Sequence, residues 1–192
     1  MEKFQLTDFE IKTLLSGSPI YDQYPWDTNQ AEIIEKFYLN ICKEIEQETE
    51  SLSQKEFNDY GSGYASFYDT WFYKEESSFK FPNSPYPNQH FNGLVILFSK
   101  LTPYYVFMQG EKSWHDKGGI SYMPDSQMID NLKCWAVNDL AKKIEPILKS
   151  HGLIRLTQEQ LNVPLKDQWT IPTILTVTDE YMLFDALFFW ED

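Results

Sequence analysis

Residues 63 to 73 read GYASFYDTWFY, a run that sets Tyr, Phe and Trp close together along the chain. An extended backbone alternates its side chains between two faces, so both faces of this segment are aromatic. A strand of that kind is covered on both sides, or lies in a sheet whose second face meets another element. The 192 residues are enough for one domain to bury about 70% of its unfolded surface without a disulfide or metal staple. An aromatic content of 17% excludes a disordered chain, because each such ring draws roughly 150–250 Å² out of water.

Upstream, Thr7-Asp8-Phe9-Glu10 has capping-box form and opens a short helix through Ile11, Leu14 and Leu15. Thr28 or Asn29 then caps a long helix whose Ile33, Ile34, Phe37, Tyr38, Ile41 and Ile45 keep the spacing of one buried face. Its far end holds Glu44, Glu46, Glu48 and Glu50, which oppose the helix dipole and demand a cationic partner or a frayed terminus. Gly93 to Ser99 and Tyr104 to Gln109 form a hairpin, and Gly119 to Met123 adds a partner across a polar loop, 110–118. Ser126 caps a second long helix with Ile129, Leu132, Trp135, Ala136, Leu140 and Ile144 inward, kinked or ended by Pro146. Thr157 with Gln160 repeats the capping box. Ile171 to Val177 and Tyr181 to Trp190 read as closing strands joined by Thr178-Asp179-Glu180. Without repeats, heptads or linkers, residues 1–192 form a single α+β domain: N-terminal helices, a mainly antiparallel β-sheet with one intervening long helix, and C-terminal strands.

The charge is one-sided, with 29 acidic against 16 basic side chains and a formal net of −13. That balance excludes a conventional nucleic-acid binder, whose affinity comes from Lys and Arg on phosphates. Only Arg155 among the basic residues is an arginine, leaving few planar forks for phosphate. The natural partner is a basic protein. Residues 1–60 hold 13 acids and 5 bases, a net of −8, which points to the N-terminal helices and their loop as the docking surface. Cys42 and Cys134 fit no CxxC or Cys/His pattern and read as free thiols. The start, MEKFQLTDFEIKTLL, lacks the features of a signal peptide. The longest apolar runs, Leu94 to Phe98 and Ala186 to Trp190, are far below the roughly 20 residues of a membrane span. A cytoplasmic setting is expected, with no membrane partner.

His90, His115 and His151 are scattered singly, so neither metal nor cofactor is expected. Trp114-His115-Asp116 supports an alternative reading, a small hydrolase using His115 and nearby carboxylates. Gly61-Ser62-Gly63 is a turn, and no Walker or GxSxG pattern is present. More informative are the aromatic and acidic residues that share predicted loops: Tyr21, Asp22, Tyr24, Trp26 and Asp27 on one, Trp114 and Asp116 on another. Loop Tyr and Trp anchor interfaces, and neighbouring carboxylates orient a cationic partner. The candidate partner-binding set is Asp22, Tyr24, Trp26, Asp27, Glu46, Glu50, Trp114 and Asp116. The same aromatics would equally roof the core, or form the platforms of a ligand- or carbohydrate-binding module.

A small, acidic, aromatic-rich domain without catalytic motifs, ending in Phe184-Asp185-Ala186-Leu187-Phe188-Phe189-Trp190-Glu191-Asp192, resembles the bacterial immunity proteins that neutralise polymorphic or contact-dependent toxins. The resemblance implies a stoichiometric inhibitor with no activity of its own. Such a protein binds a toxin, often a basic nuclease, and blocks its site with acidic and aromatic side chains.

Overall fold

A computed structural model describes residues 4–86, 88–116, 118–166, 168–176 and 180–192. The chain opens with α1 (Asp8–Leu15) and α2 (Ala31–Thr49), then lays down β1 (Leu52–Glu56), β2 (Tyr64–Ala65) and β3 (Phe67–Tyr73). The hairpin β4 (His90–Ser99) and β5 (Tyr104–His115) follows, with β6 (Gly118–Ser121) turning back along β5. After α3 (Trp135–Ser150) come β7 (Ile154–Arg155), α4 (Gln158–Leu161), α5 (Leu183–Leu187) and β8 (Trp190–Glu191). The main sheet runs β1-β3-β4-β5-β6 with antiparallel neighbours, β7 lies parallel to the start of β5, and β2 pairs with β8 separately. The fold class is α+β.

The aromatic run is β3, every residue of which is buried. Register puts Tyr68, Thr70 and Phe72 on one face with Phe98, Ile96 and Leu94 of β4. Helices α2 and α3 cover that face: Tyr38 stacks on Phe98 at 4.7 Å, and its hydroxyl donates to the Ser99 carbonyl at 2.8 Å. The buried residues of α2 are Ile34, Tyr38, Ile41, Cys42, Ile45 and Thr49, close to the stripe its sequence predicts. Phe67, Asp69, Trp71 and Tyr73 form the other face, where Trp71 donates its indole N–H to the Gly110 carbonyl at 3.0 Å. Gly93 lies beneath that indole, and a Cβ there would come within 2.3 Å of the Trp71 nitrogen. Phe188, just beyond α5, covers Phe67, while α1 and α4 both touch α5.

Several local expectations change in detail. The capping boxes at Thr7 and Thr157 are both present. Helix α2, however, starts after Gln30 with no side-chain cap, because Thr28 lies in a one-turn 3-10 helix and donates its hydroxyl to Pro25. Ser126 opens only another single turn, capped by Asp125, and Ile129 pairs with Met108 at the sheet, so α3 begins later at Trp135. Pro146 neither ends nor interrupts α3. It lies on the exposed face of the helix, as does Lys142 one turn back, where a carbonyl deprived of its helical donor costs least. The polar loop expected over 110–118 is mostly strand, since β5 continues to His115.

At the C-terminal end, residues 171–176 are irregular and Val177, Thr178 and Asp179 lie outside the described residues. Half of the strand expected over Tyr181 to Trp190 is instead α5, and the strand that remains is β8. Asp185 explains the change: its carboxylate accepts from the Met182 N–H at 2.7 Å and from the Thr176 hydroxyl, which fixes a helical first turn. Ser66 ties this end to the sheet, accepting from the Phe189 N–H at 2.8 Å and lying 3.0 Å from the Leu187 carbonyl.

Candidate functional site

The loop before α2 is built on Trp26. This ring is buried, at 4% exposure, with edge-on contacts to Tyr21 at 6.0 Å, Phe37 at 5.8 Å and Tyr38 at 6.4 Å. Through Tyr38 the loop is anchored directly to the core. Tyr24 stands outward at 62% exposure, its ring edge-on to Phe37 at 5.9 Å, with Asp22 and Asp27 exposed nearby on the chain. Asn29 closes the loop in a left-handed conformation, φ 48°, handing the chain to α2. Tyr24 is thus an exposed phenol resting edge-on against Phe37, with an exposed carboxylate on either side of it along the chain.

The other predicted residues lie elsewhere. Tyr21 lies near enough to Tyr104, at the beginning of β5, to act on its hydroxyl electrostatically, whereas Trp114 is ten residues further along that strand, about 33 Å away. Trp114 is half-buried among Trp71, Tyr73 and Phe91, stacking on Phe91 at 5.6 Å, and is a packing residue on a strand rather than a loop anchor. Asp116 is exposed in the β5–β6 turn. Glu46 is engaged internally by Ser53 at 2.5 Å and by the cationic Lys55 at 2.6 Å, and Glu44 lies 2.7 Å from the His151 ring nitrogen. Glu50 is exposed at the left-handed C-terminus of α2, about 28 Å from the Tyr24 loop along the helix. Asp22, Tyr24 and Asp27 thus form a surface, Trp26 supports it, and Glu46, Glu50, Trp114 and Asp116 do not join it.

Two polar clusters escape a linear reading of the sequence. Asp69, 4% exposed, accepts from the Tyr60 hydroxyl at 2.7 Å and the Tyr122 hydroxyl at 2.6 Å. Burial raises its pKa despite those two bonds and the nearby Lys112, whose own pKa burial lowers. His90 stacks on Phe81 at 4.3 Å, shares a hydrogen bond with Ser84 at 2.9 Å, and holds Nε2 buried 3.9 Å from Glu111. His115 lies against Tyr86, ring to ring at 3.9 Å. Arg155 is occupied by Asp130 at 2.5 Å and Glu145 at 3.2 Å. Among the described residues no group of three His, Cys, Asp or Glu is placed to hold a metal ion, and no helix is long and apolar enough to cross a membrane.

Two clefts flank the N-terminal helices. One of about 550 Å³ lies between the start of α1 and the segment around Trp169, bridged by Lys166 on Asp8 at 2.8 Å. The other, about 320 Å³, adjoins the Tyr24 loop at Asn29 and Ala31 and contains Lys100, Asp59, Glu35, Tyr64 and Tyr68. No protein-family model, curated protein or solved structure matches the chain, so its residue chemistry carries the functional reading.

Proposed function

We propose that this chain is an immunity-type protein that binds a basic protein partner, a toxin, stoichiometrically through the Tyr24 loop and the adjoining N-terminal half of α2. The observation that carries the reading is Tyr24 itself, 62% exposed yet braced on Phe37 above the buried Trp26, with exposed Asp22 and Asp27 beside it. Interface hot spots have this anatomy, an aromatic anchor on a pre-ordered base. Concentration of net charge −8 in residues 1–60 supplies attraction to a cationic surface from a distance. The resemblance of the closing residues to bacterial immunity proteins agrees with that role, and the free thiols Cys42 and Cys134 suit a cytoplasmic protein.

The test is co-purification of the tagged full chain from its native cells at low ionic strength, beside a variant carrying Asp22→Asn, Tyr24→Ala and Asp27→Asn. A small basic protein should accompany the wild-type chain in equal amount, dissociate in high salt, and be absent from the variant although its circular dichroism is unchanged. Recovery of the wild-type chain alone at low salt overturns the proposal.

A further inference from the structure

Lys100 follows β4 with its ammonium turned inward, the side chain only 13% exposed. The nitrogen lies 2.5 Å from an Asp59 oxygen, 4.8 Å from the centre of the Tyr68 ring and 5.4 Å from that of Tyr64. Phe57 stacks on Tyr68 at 4.2 Å and stiffens that wall. These groups line the cleft of about 320 Å³ beside the Tyr24 loop, a volume suited to a side chain or small ligand. The cleft therefore already holds a primary ammonium against two ring faces and a carboxylate, the chemistry by which proteins recognise alkylammonium groups.

One acceptor is left over. Glu35 lines the same cleft and is half-exposed, and its carboxylate has no hydrogen bond or ion pair among the described residues. It lies close enough to Tyr68 that, after burial, its charge and that of Asp59 raise the phenol's pKa. Two carboxylates against one ammonium leave the cleft negative. The start of α2 is uncapped and would favour an anion, but both carboxylates oppose one there.

We infer that this cleft receives one protonated lysine or arginine side chain from the basic partner, paired with Glu35 and flanked by the Tyr64 and Tyr68 rings. The inference rests on the proposed docking of that partner at the Tyr24 loop, whose last residue, Asn29, borders the cleft.

The pocket is tested without the partner. The full chain, isotopically labelled, is titrated with N-acetyl-lysine methylamide and N-acetyl-arginine methylamide, with N-acetyl-norleucine methylamide and inorganic phosphate as comparisons, and amide resonances are followed by NMR. Saturable shifts are expected for Ala31, Glu35, Tyr64 and Leu101 with at least one of the two cations. Glu35→Gln should weaken that binding about tenfold, and Tyr64→Leu should weaken it as well, both in proteins of unchanged thermal midpoint. No saturable response to either cation, an equal response to norleucine, or phosphate binding at these amides overturns the pocket. Those results leave the docking loop intact, since it fails on a different observation, the absence of any basic protein in the co-purification.

Discussion

Asp69 lies where a carboxylate is least comfortable, on a buried sheet face, with Tyr60 and Tyr122 supplying the hydrogen bonds that water would otherwise give. Its pKa is raised in the folded state, so the native protein holds that proton more tightly than the unfolded chain does. The resulting stability is fully present below the unfolded value, about 3.9, and is lost as pH rises through the higher folded value. Asp69→Asn should remove this component: urea titrations at successive pH values from 4 to 7 should show wild type losing stability relative to the variant. Asp69→Leu should instead destabilise at every pH by about 2–5 kcal/mol, because two phenol hydroxyls lose their acceptor. Neighbouring residues of the docking loop divide in the same manner. Trp26→Ala should destabilise by about 3–5 kcal/mol through the cavity it leaves. Tyr24→Ala should change stability by no more than about 0.5 kcal/mol while weakening partner binding by roughly 2 kcal/mol, measured by denaturation and calorimetry respectively.

At the scale of elements, Gly63 controls the small ribbon of β2 and β8. It has φ +66°, and a Cβ there would fall 1.8 Å from the Glu191 carbonyl oxygen. Gly63→Ala should destabilise by more than about 1–2 kcal/mol and speed hydrogen exchange of the amides of Tyr64 and its register partner Glu191; unchanged exchange would contradict the assigned pairing. What the sequence reveals about elements depends on whether the signal is local. The Thr7 box, the stripe of α2 and the β4–β5 hairpin are legible because spacing and turn chemistry lie within a few residues. The apolar run ending in Trp190 is not, because a segment buried all around has no periodicity to separate helix from strand. Its one clue is Asp185, a polar residue placed to cap. Exposure of the candidate residues is half legible for a related reason: loop position and residue type place Asp22, Tyr24 and Asp27 in water, as the structure has them, but burial of Trp26 and Trp114 depends on distant rings. Lys100 and Asp59, 41 residues apart, meet only in the folded chain.

For the whole molecule, the net charge of −13 acts in two opposed ways. Mutual repulsion of the surplus carboxylates weakens the compact state, and the same field would draw in the cationic partner proposed above. Raising salt from about 0.02 to 0.3 M shortens the screening distance from roughly 20 Å to 6 Å. The free protein's thermal midpoint should therefore rise while the association rate with the basic partner falls, as followed by calorimetry and stopped flow. A midpoint that drops with salt would mean that internal pairs such as Lys55–Glu46 and Arg155–Asp130 outweigh the repulsion.

The bond between Ser66 and the carbonyl of Leu187 joins positions 121 residues apart. On the ribosome, β3 emerges long before the segment that seals it, and at roughly 5–20 residues per second the Phe67 face waits about 6–24 s for Phe188. For that interval the Phe67 end of the strand lacks its cover, although Trp114 reaches Trp71 and Tyr73 earlier in synthesis, and faster translation should shorten the exposure.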